Sequence, residues 1–472
     1  MISKIECLYI GEGGNNPVSE IKEDSRKVKK GDIFITHAGI HMHAKESEKN
    51  GASAIITPHF IRNISKNQII GDTNKLKKEV IKNLYSEELK DIKVIGITGT
   101  DGKTTTSLLT NSILNECSKS ASIGTLGIHG ENINTKTTLT TPVSSDLANS
   151  LRKLREKKYK YAVVECSSHG LFQDRVDPIR LHAAAMNRVT RDHLDFHGNK
   201  NYYFKAKSLI FSKLDNFSPA IINSSSPWLE KLQKEYPGLR WITWGKQHGD
   251  IVGRIISKNI NESIINLNLP DRKNIEIKTS LFGDFQIENI LAATSISYGL
   301  GLSEEDIVSG IENLKNIPGR MEKIKTKNKN VFIDYAHTPN AIKNSIKTLK
   351  TICKGKVFAV FGCGGDRDKG KRTQMARAGL NADKLFITSD NPRTENPTSI
   401  IKDMLSGIGE KVKEIEIETN RKEAIKNAIF SATEEDFVLI AGKGHEDYQL
   451  IGEKALPHND SLFAKEVLSS CV

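Results

Sequence analysis

At 472 residues the chain is too long for one compact core, and a prior of roughly 150 residues per domain points to about three domains. Hydrophobic residues at 37% and charged residues at 27% exclude wholesale disorder, and no stretch approaches the roughly 18 apolar residues of a membrane span. The net charge of +12 comes from lysines spread along the whole chain without helix-turn-helix, zinc or stacked-aromatic patterning, so solvated faces, and not nucleic acid, account for most of it.

Met1 to Cys7 carry an early acidic residue and no apolar run, so no secretory signal is expected. The six cysteines are scattered, with no C-x-x-C pair and no zinc spacing, as suits a reducing cytoplasm. Residues 1–92 read as a small mixed α/β domain, in which Ile33-Phe34-Ile35 and Ala54-Ile55-Ile56 alternate with polar turns and Leu76 to Tyr85 is helical. A central domain is predicted over 93–318. It opens with Lys93-Val94-Ile95-Gly96-Ile97-Thr98 as a buried parallel strand, runs through a Gly-rich loop, and enters a helix carrying Leu108, Leu109 and Ile113. That loop, Gly99-Thr100-Asp101-Gly102-Lys103-Thr104-Thr105-Thr106, has the setting of a phosphate cradle. Its glycines let backbone N–H groups close around phosphate oxygens, Lys103 would meet the β- and γ-phosphates, and Thr104 would hold Mg²⁺. It is a short variant, with Ile97 where the outer glycine of the common spacing would stand.

Strands at Tyr161–Val164 and Ala220–Ile222, separated by helical stretches, predict a doubly wound sheet. Ile317-Pro318-Gly319 reads as a linker into a third domain, 319–472. There, strands Val331–Ile333, Val357–Phe361, Leu385–Thr388 and Phe437–Ile440 alternate with helices as a Rossmann-like sheet. Polar loops follow Phe361, Ser389 and Ala441, and parallel strands place such loops at one carboxyl edge. Arg367, Asp390, Asn391, Pro392, Arg393, Gly442 and Glu446 are therefore expected to surround one ligand.

The short loop, followed in order by Thr140-Thr141-Pro142, Glu165-Cys166-Ser167-Ser168-His169-Gly170, Arg191 to Gly198, Pro318-Gly319-Arg320, Asp334 to Pro339, Gly362 to Arg372, Asp390-Asn391-Pro392-Arg393 and Gly442 to Glu446, resembles the Mur ligase family in its diaminopimelate-adding branch. The resemblance implies an α/β protein of three domains: a small mixed one, a central phosphate-loop sheet domain and a Rossmann-like one. It also implies an ATP-dependent, ADP-forming ligase of peptidoglycan synthesis, adding meso-2,6-diaminopimelate to UDP-N-acetylmuramoyl-L-alanyl-D-glutamate through an acyl phosphate. A monomer of the cytoplasm is expected, with neither membrane nor nucleic acid as partner.

Carried residue by residue, the resemblance implies Lys103, Glu165, His193 and Lys207 as catalytic residues, Thr104, Glu165, His193 and Lys207 as the Mg²⁺ set, and Lys207 as a carbamylated lysine. For ATP it implies Gly99 to Thr105 with Asn289, Arg320 and Asp334. Gln286 stands where the family has Asn and is set aside. Ser25, Thr140, Thr141, Ser167, Gln173 and Arg175 would take the UDP-muramoyl dipeptide, while Gly39 to Ala44 lacks the Asp-Gly pair expected there. Arg393 is the discriminating residue, because a guanidinium grips the distal carboxylate that diaminopimelate has and lysine lacks. The rival readings are an L-lysine-adding ligase, a D-glutamate or folyl-polyglutamate ligase and, from another class, a nucleotide-dependent binding protein without chemistry. Closure of the third domain over the nucleotide is expected.

Overall fold

The computed structural model describes residues 8–10, 18–36, 41–65, 67–86, 89–324, 328–406, 408 and 414–470; Gly39 and Ile40 lie outside them. The first sheet runs in the order Leu8–Ile10, Asn67–Ile70, Ala54–Thr57, Ile33–Ile35, Ile21–Lys22, parallel but for its first pair. Helix Thr73–Tyr85 starts behind Asp72, whose carboxylate caps Asn74 N and Lys75 N, and buries Leu76, Val80, Ile81 and Tyr85 along one face. That face meets helix Ser144–Glu156 of the central domain, and the Tyr85 hydroxyl donates to Asn149 across the boundary. One hydrophobic core therefore runs from Ile21 and Ile33 through Val80 to Val94, Leu147 and Ile222.

The central sheet has eleven strands. Seven are parallel, in the order Ser120–Gly124, Tyr161–Glu165, Lys93–Thr98, Ala183–Met186, Pro219–Asn223, Arg240–Gly245, Ile251–Lys258. Antiparallel strands extend both edges: Gly127–Gly130 and Ile133–Thr135 on one side, Ser263–Leu269 and Arg272–Thr279 on the other. Chain order reverses direction at Lys93–Thr98, so the carboxyl ends of that strand, Tyr161–Glu165 and Ala183–Met186 open a crevice where ligands are bound in such sheets.

The third sheet, Glu322–Ile324, Asn330–Asp334, Phe437–Ala441, Val357–Phe361, Lys384–Ile387, Glu414–Ile417, is parallel beyond its first pair. Its fifth strand stops at Ile387, one residue before the predicted end, so Thr388 and Ser389 belong to the loop. Beneath the carboxyl edge a buried ion pair fixes the frame. Arg421 Nε and Nη2 donate to Asp460 Oδ1 and Oδ2 at 2.8 and 2.7 Å, and Nη2 also donates to Ala441 O at 2.8 Å. Against the burial that would raise it, Arg421 and His458 hold the Asp460 carboxyl far below the usual carboxylate range. The stability this pair contributes is complete above the ordinary aspartate range and is lost as pH falls towards the lowered value. Arg421→Met, which strands a buried carboxylate, is expected to lower unfolding free energy by about 3–5 kcal/mol at pH 7. The gap from wild type narrows as pH drops through the carboxylate range, which urea midpoints at pH 7 and at about pH 4 would read.

Candidate active site

A cavity of about 720 Å³ lies between the crevice of the central sheet and the carboxyl edge of the third. The phosphate loop forms its floor. Gly102 precedes helix Lys103–Cys117 at φ +82° and offers no side-chain cap, so the first N–H groups of the helix face the cavity. A Cβ at Gly102 would sit 2.3 Å from Asn289 Oδ1, so both backbone angle and space demand glycine. Asn289 is set by Gln286, whose Oε1 accepts from Asn289 Nδ2 at 2.8 Å; the residue set aside on sequence is the one that orients its neighbour. Lys103 Nζ donates to Gly99 O and Thr100 O at 3.0 and 2.9 Å, so the loop's cation rests on the loop's own carbonyls. Burial pulls the Lys103 ammonium below the ordinary lysine range.

Glu165 ends its strand at the hub of a hydrogen-bond chain. Its Oε2 accepts from Thr104 Oγ1 at 2.9 Å and Thr125 Oγ1 at 3.0 Å, and its Oε1 accepts from Thr125 N at 3.0 Å. Thr125 in turn meets Thr140 Oγ1 at 3.1 Å, and Arg320, arriving from the linker and lying over the Tyr335 ring, donates from Nη2 to Thr104 Oγ1 at 3.0 Å. Asp334 lines the same cavity, accepting from Ser345 Oγ at 2.6 Å, and burial holds its carboxyl above the usual range. Thr141 fixes the start of the Glu165 loop: its Oγ1 donates to Glu165 O at 2.8 Å and accepts from Ser167 N at 2.8 Å. Arg175 donates to Thr141 O at 2.9 Å and to Gln173 Oε1 at 2.5 Å.

Lys207 is 1% exposed, donates to Gly99 O at 2.7 Å, and stands 4.6 Å over the Tyr203 ring. Burial first, then the nearby Lys103 charge, drives its pKa far below that of an ordinary lysine, which favours the free amine. Burial likewise pushes the His193 imidazole down to about 3, outweighing Asp192 at 3.3 Å, so the ring is neutral. Among the described residues no three His, Cys, Asp or Glu side chains converge as a metal site. Thr104, His193 and Lys207 line one cavity, Glu165 stands behind Thr104 at 2.9 Å, and a carboxylate added at Lys207 is the donor that would complete an oxygen-rich set for Mg²⁺.

The three loops of the third domain meet. Arg393 Nη1 donates to Gly365 O at 2.7 Å, and Asn391 Nδ2 donates to Glu446 Oε2 at 3.0 Å. A Cβ at Gly442 would lie 2.7 Å from Asp390 Oδ2. Burial and the charge of Arg367 lower the Arg393 guanidinium from its ordinary range, and Arg367 itself lines the large cavity, so the two arginines link the nucleotide side to this loop cluster. Sequence reasoning missed Lys443, wholly buried, which donates to Glu446 Oε2 at 2.7 Å and Asn391 Oδ1 at 3.0 Å. It also missed Asn187, whose Nδ2 donates to Thr106 Oγ1 at 2.8 Å and whose Oδ1 is buried without a partner beside the phosphate loop. Asp192 was another omission. Lys371 at 3.4 Å and His337 at 3.9 Å reach it from the third domain, and against burial these two and His193 hold its carboxyl below the usual range. The motif Arg191 to Gly198 was the one signal for it.

Ser25 stands apart from these groups. It is buried in the first domain, where its hydroxyl donates to Glu46 Oε2 at 2.5 Å and meets His43 Nδ1 at 3.1 Å, both on helix His41–Lys49.

Residues 97–297 match the Mur ligase middle domain, and residues 319–444 match the Mur ligase glutamate ligase domain. The UDP-N-acetylmuramoyl-L-alanyl-D-glutamate–2,6-diaminopimelate ligase of Clostridium botulinum is 34% identical over 99% of this chain and 98% of its own. A solved structure of a ligase with that description superposes with a TM-score of 0.66 at 31% identity, covering 96% of this chain and 95% of that one. The MurF ligase of Thermotoga maritima, solved with ADP, shares the fold at a TM-score of 0.72 and 20% identity, covering 98% and 100%.

Gly102→Ala is expected to raise the Michaelis constant for ATP at least about tenfold, since the added methyl meets Asn289 and the left-handed backbone is strained. Steady-state ADP release against ATP concentration measures it.

Proposed function

The chain belongs to the Mur ligase family, and we infer that it is an ATP-dependent, ADP-forming ligase joining meso-diaminopimelate to UDP-N-acetylmuramoyl-L-alanyl-D-glutamate in peptidoglycan synthesis. The observation that carries this reading is the single cavity in which a phosphate loop faces Arg320, Asp334 and Arg367 of the third domain, with Arg393 next to Arg367. A substrate carboxylate attacks the γ-phosphate of ATP, ADP leaves, and the acyl phosphate is then attacked by an amine; the tetrahedral adduct expels phosphate.

Each anionic step needs positive charge from fixed groups. Lys103 and the uncapped amides after Gly102 are the donors nearest the phosphate loop, and Lys103 exchanges its two carbonyl partners for phosphate oxygens. Arg320 bridges the linker to Thr104 and places a second cation at the same point. Thr140, Thr141, Ser167, Gln173 and Arg175 border the side on which the muramoyl peptide would enter, and Ser25 serves its uridine end at a distance.

Magnesium, when bound, neutralises phosphate charge; Thr104, Glu165, His193 and a carbamate on Lys207 would hold it. The neutral Lys207 amine attacks CO₂ at carbon: an N–C bond forms as one C=O π pair moves onto oxygen, nitrogen releases a proton to solvent, and a neutral amine becomes an anionic carbamate. Arg393 grips the distal carboxylate of diaminopimelate, which favours this amino acid over L-lysine. The reading extends to a monomer, since every group it uses comes from one chain. It also extends to the cytoplasm, where ATP and a nucleotide-linked sugar are available. The substrates, and neither nucleic acid nor membrane, are its partners. Among the described residues no helix is long and apolar enough to cross a membrane.

Three outcomes are expected. Lys207→Ala abolishes ADP release, and full activity of that variant without any added carboxylic acid would contradict the carbamate. In an amino-acid panel of meso-diaminopimelate, L-lysine and ornithine, the first is used best. Arg393→Ala raises its Michaelis constant roughly 10- to 100-fold, as a hydrogen bond to a charged group is worth about 1.5–3 kcal/mol, with the constant for ATP nearly unchanged.

A further inference from the structure

The strands Tyr448–Ile451 and Lys454–Pro457 form a hairpin that is a sheet of its own, paired with neither large sheet. Its first strand is spent on the loop that carries Arg393. Gln449 Nε2 donates to Asp390 O at 2.6 Å, and Leu450 N donates to Asn391 Oδ1 at 2.9 Å. Arg393 N donates to Leu450 O at 3.1 Å, and Gly452 N donates to Arg393 O at 2.7 Å. The base of the hairpin is closed by His458 N donating to Asp447 O at 3.1 Å, and the His458 ring meets Asp460 Oδ1 at 2.8 Å, which ties the hairpin to the buried Arg421 pair.

These bonds explain a strained residue. Arg393 has φ +53°, a left-handed backbone that a non-glycine residue keeps only where its surroundings over-determine it. Relaxing that angle would redirect the side chain away from Gly365, against which its Nη1 is held at 2.7 Å. We propose that the hairpin is the specificity element of the amino-acid site: it forces Arg393 into its left-handed pose, and Gln449 is the positioning residue that clamps the loop at Asp390. The proposal rests on the assignment of Arg393 to the distal carboxylate.

The test measures ADP release by the full-length protein carrying Gln449→Ala or the isosteric Gln449→Glu, which turns the donor into an acceptor facing Asp390 O. Melting curves confirm that each is folded. Both variants should raise the Michaelis constant for meso-diaminopimelate about tenfold and lower its kcat/KM advantage over L-lysine by a similar factor. Glu should be at least as damaging as Ala, and the constants for ATP and the UDP-dipeptide should stay within about twofold. A merely structural role would lower kcat through lost folded protein and leave both the Michaelis constant and the amino-acid preference intact; that result overturns the proposal. Arg393→Ala is run in parallel. If it raises the diaminopimelate constant while both Gln449 variants leave it unchanged, only the hairpin's role fails. If Arg393→Ala itself leaves that constant unchanged, the assignment of Arg393 and the proposal fall together.

Discussion

Lys103, Lys207 and Arg320 occupy one desolvated recess with Glu165, and the rest of the molecule is arranged around that concentration of charge. Three cations that close would repel each other and lose hydration, so Lys207 is held towards the neutral amine, and Lys103 and Arg320 persist where carbonyls and a hydroxyl answer them. Here Gly99 O accepts from both lysines, Thr104 relays Arg320 to Glu165, and the crevice stands where anionic ligands can enter. On the proposed reading, a triphosphate and a substrate carboxylate, each too negative to approach the other in water, would meet their compensating charge there before they meet each other.

The third domain completes this field. Arg320 reaches Thr104, Lys371 and His337 reach Asp192, Thr338 donates to Asp101 Oδ1 at 3.4 Å, and Arg191 reaches Asp368 at 3.5 Å. Most of these contacts join residues of the sequence motifs to one another. The motifs run from Gly99 to Glu446 because the site is assembled from two sheets whose carboxyl edges face each other, and each edge supplies one loop per strand.

Much of this was legible in the residues. The phosphate loop announces itself because one strand, two glycines, a lysine and a helix are contiguous, and the three converging loops follow from parallel strand order. What escaped was encoded in tertiary context. Ala183-Ala184-Ala185-Met186 has the composition of a helix, yet it is a fully buried strand beside Lys93–Thr98, where small side chains let the helices pack close. The antiparallel strand Ser263–Leu269 does alternate, burying Ile265, Leu267 and Leu269 around Asn266 and Asn268, and that period was passed over; the short edge Gly127–Gly130 and Ile133–Thr135 has too few residues to show one. Gln286 looked like a defect in a motif until its amide was seen to orient Asn289, and the bonds of the Ser25 hydroxyl to Glu46 and His43 could not be read from the sequence.

The apolar core that passes without a break from Ile21 to Leu232 has a consequence for how such chains can be recombined. The first two modules share their interior, so neither can be excised or grafted onto a homologue without exposing half of it. The last module has interiors of its own, built from residues such as Phe332, Ile346 and Leu439 on one face of its sheet and Val331, Ile425 and Val438 on the other. The natural seam for exchanging a module between relatives therefore lies at Ile317 to Gly319, and a chimera cut near residue 92 would trade a working interior for two broken ones.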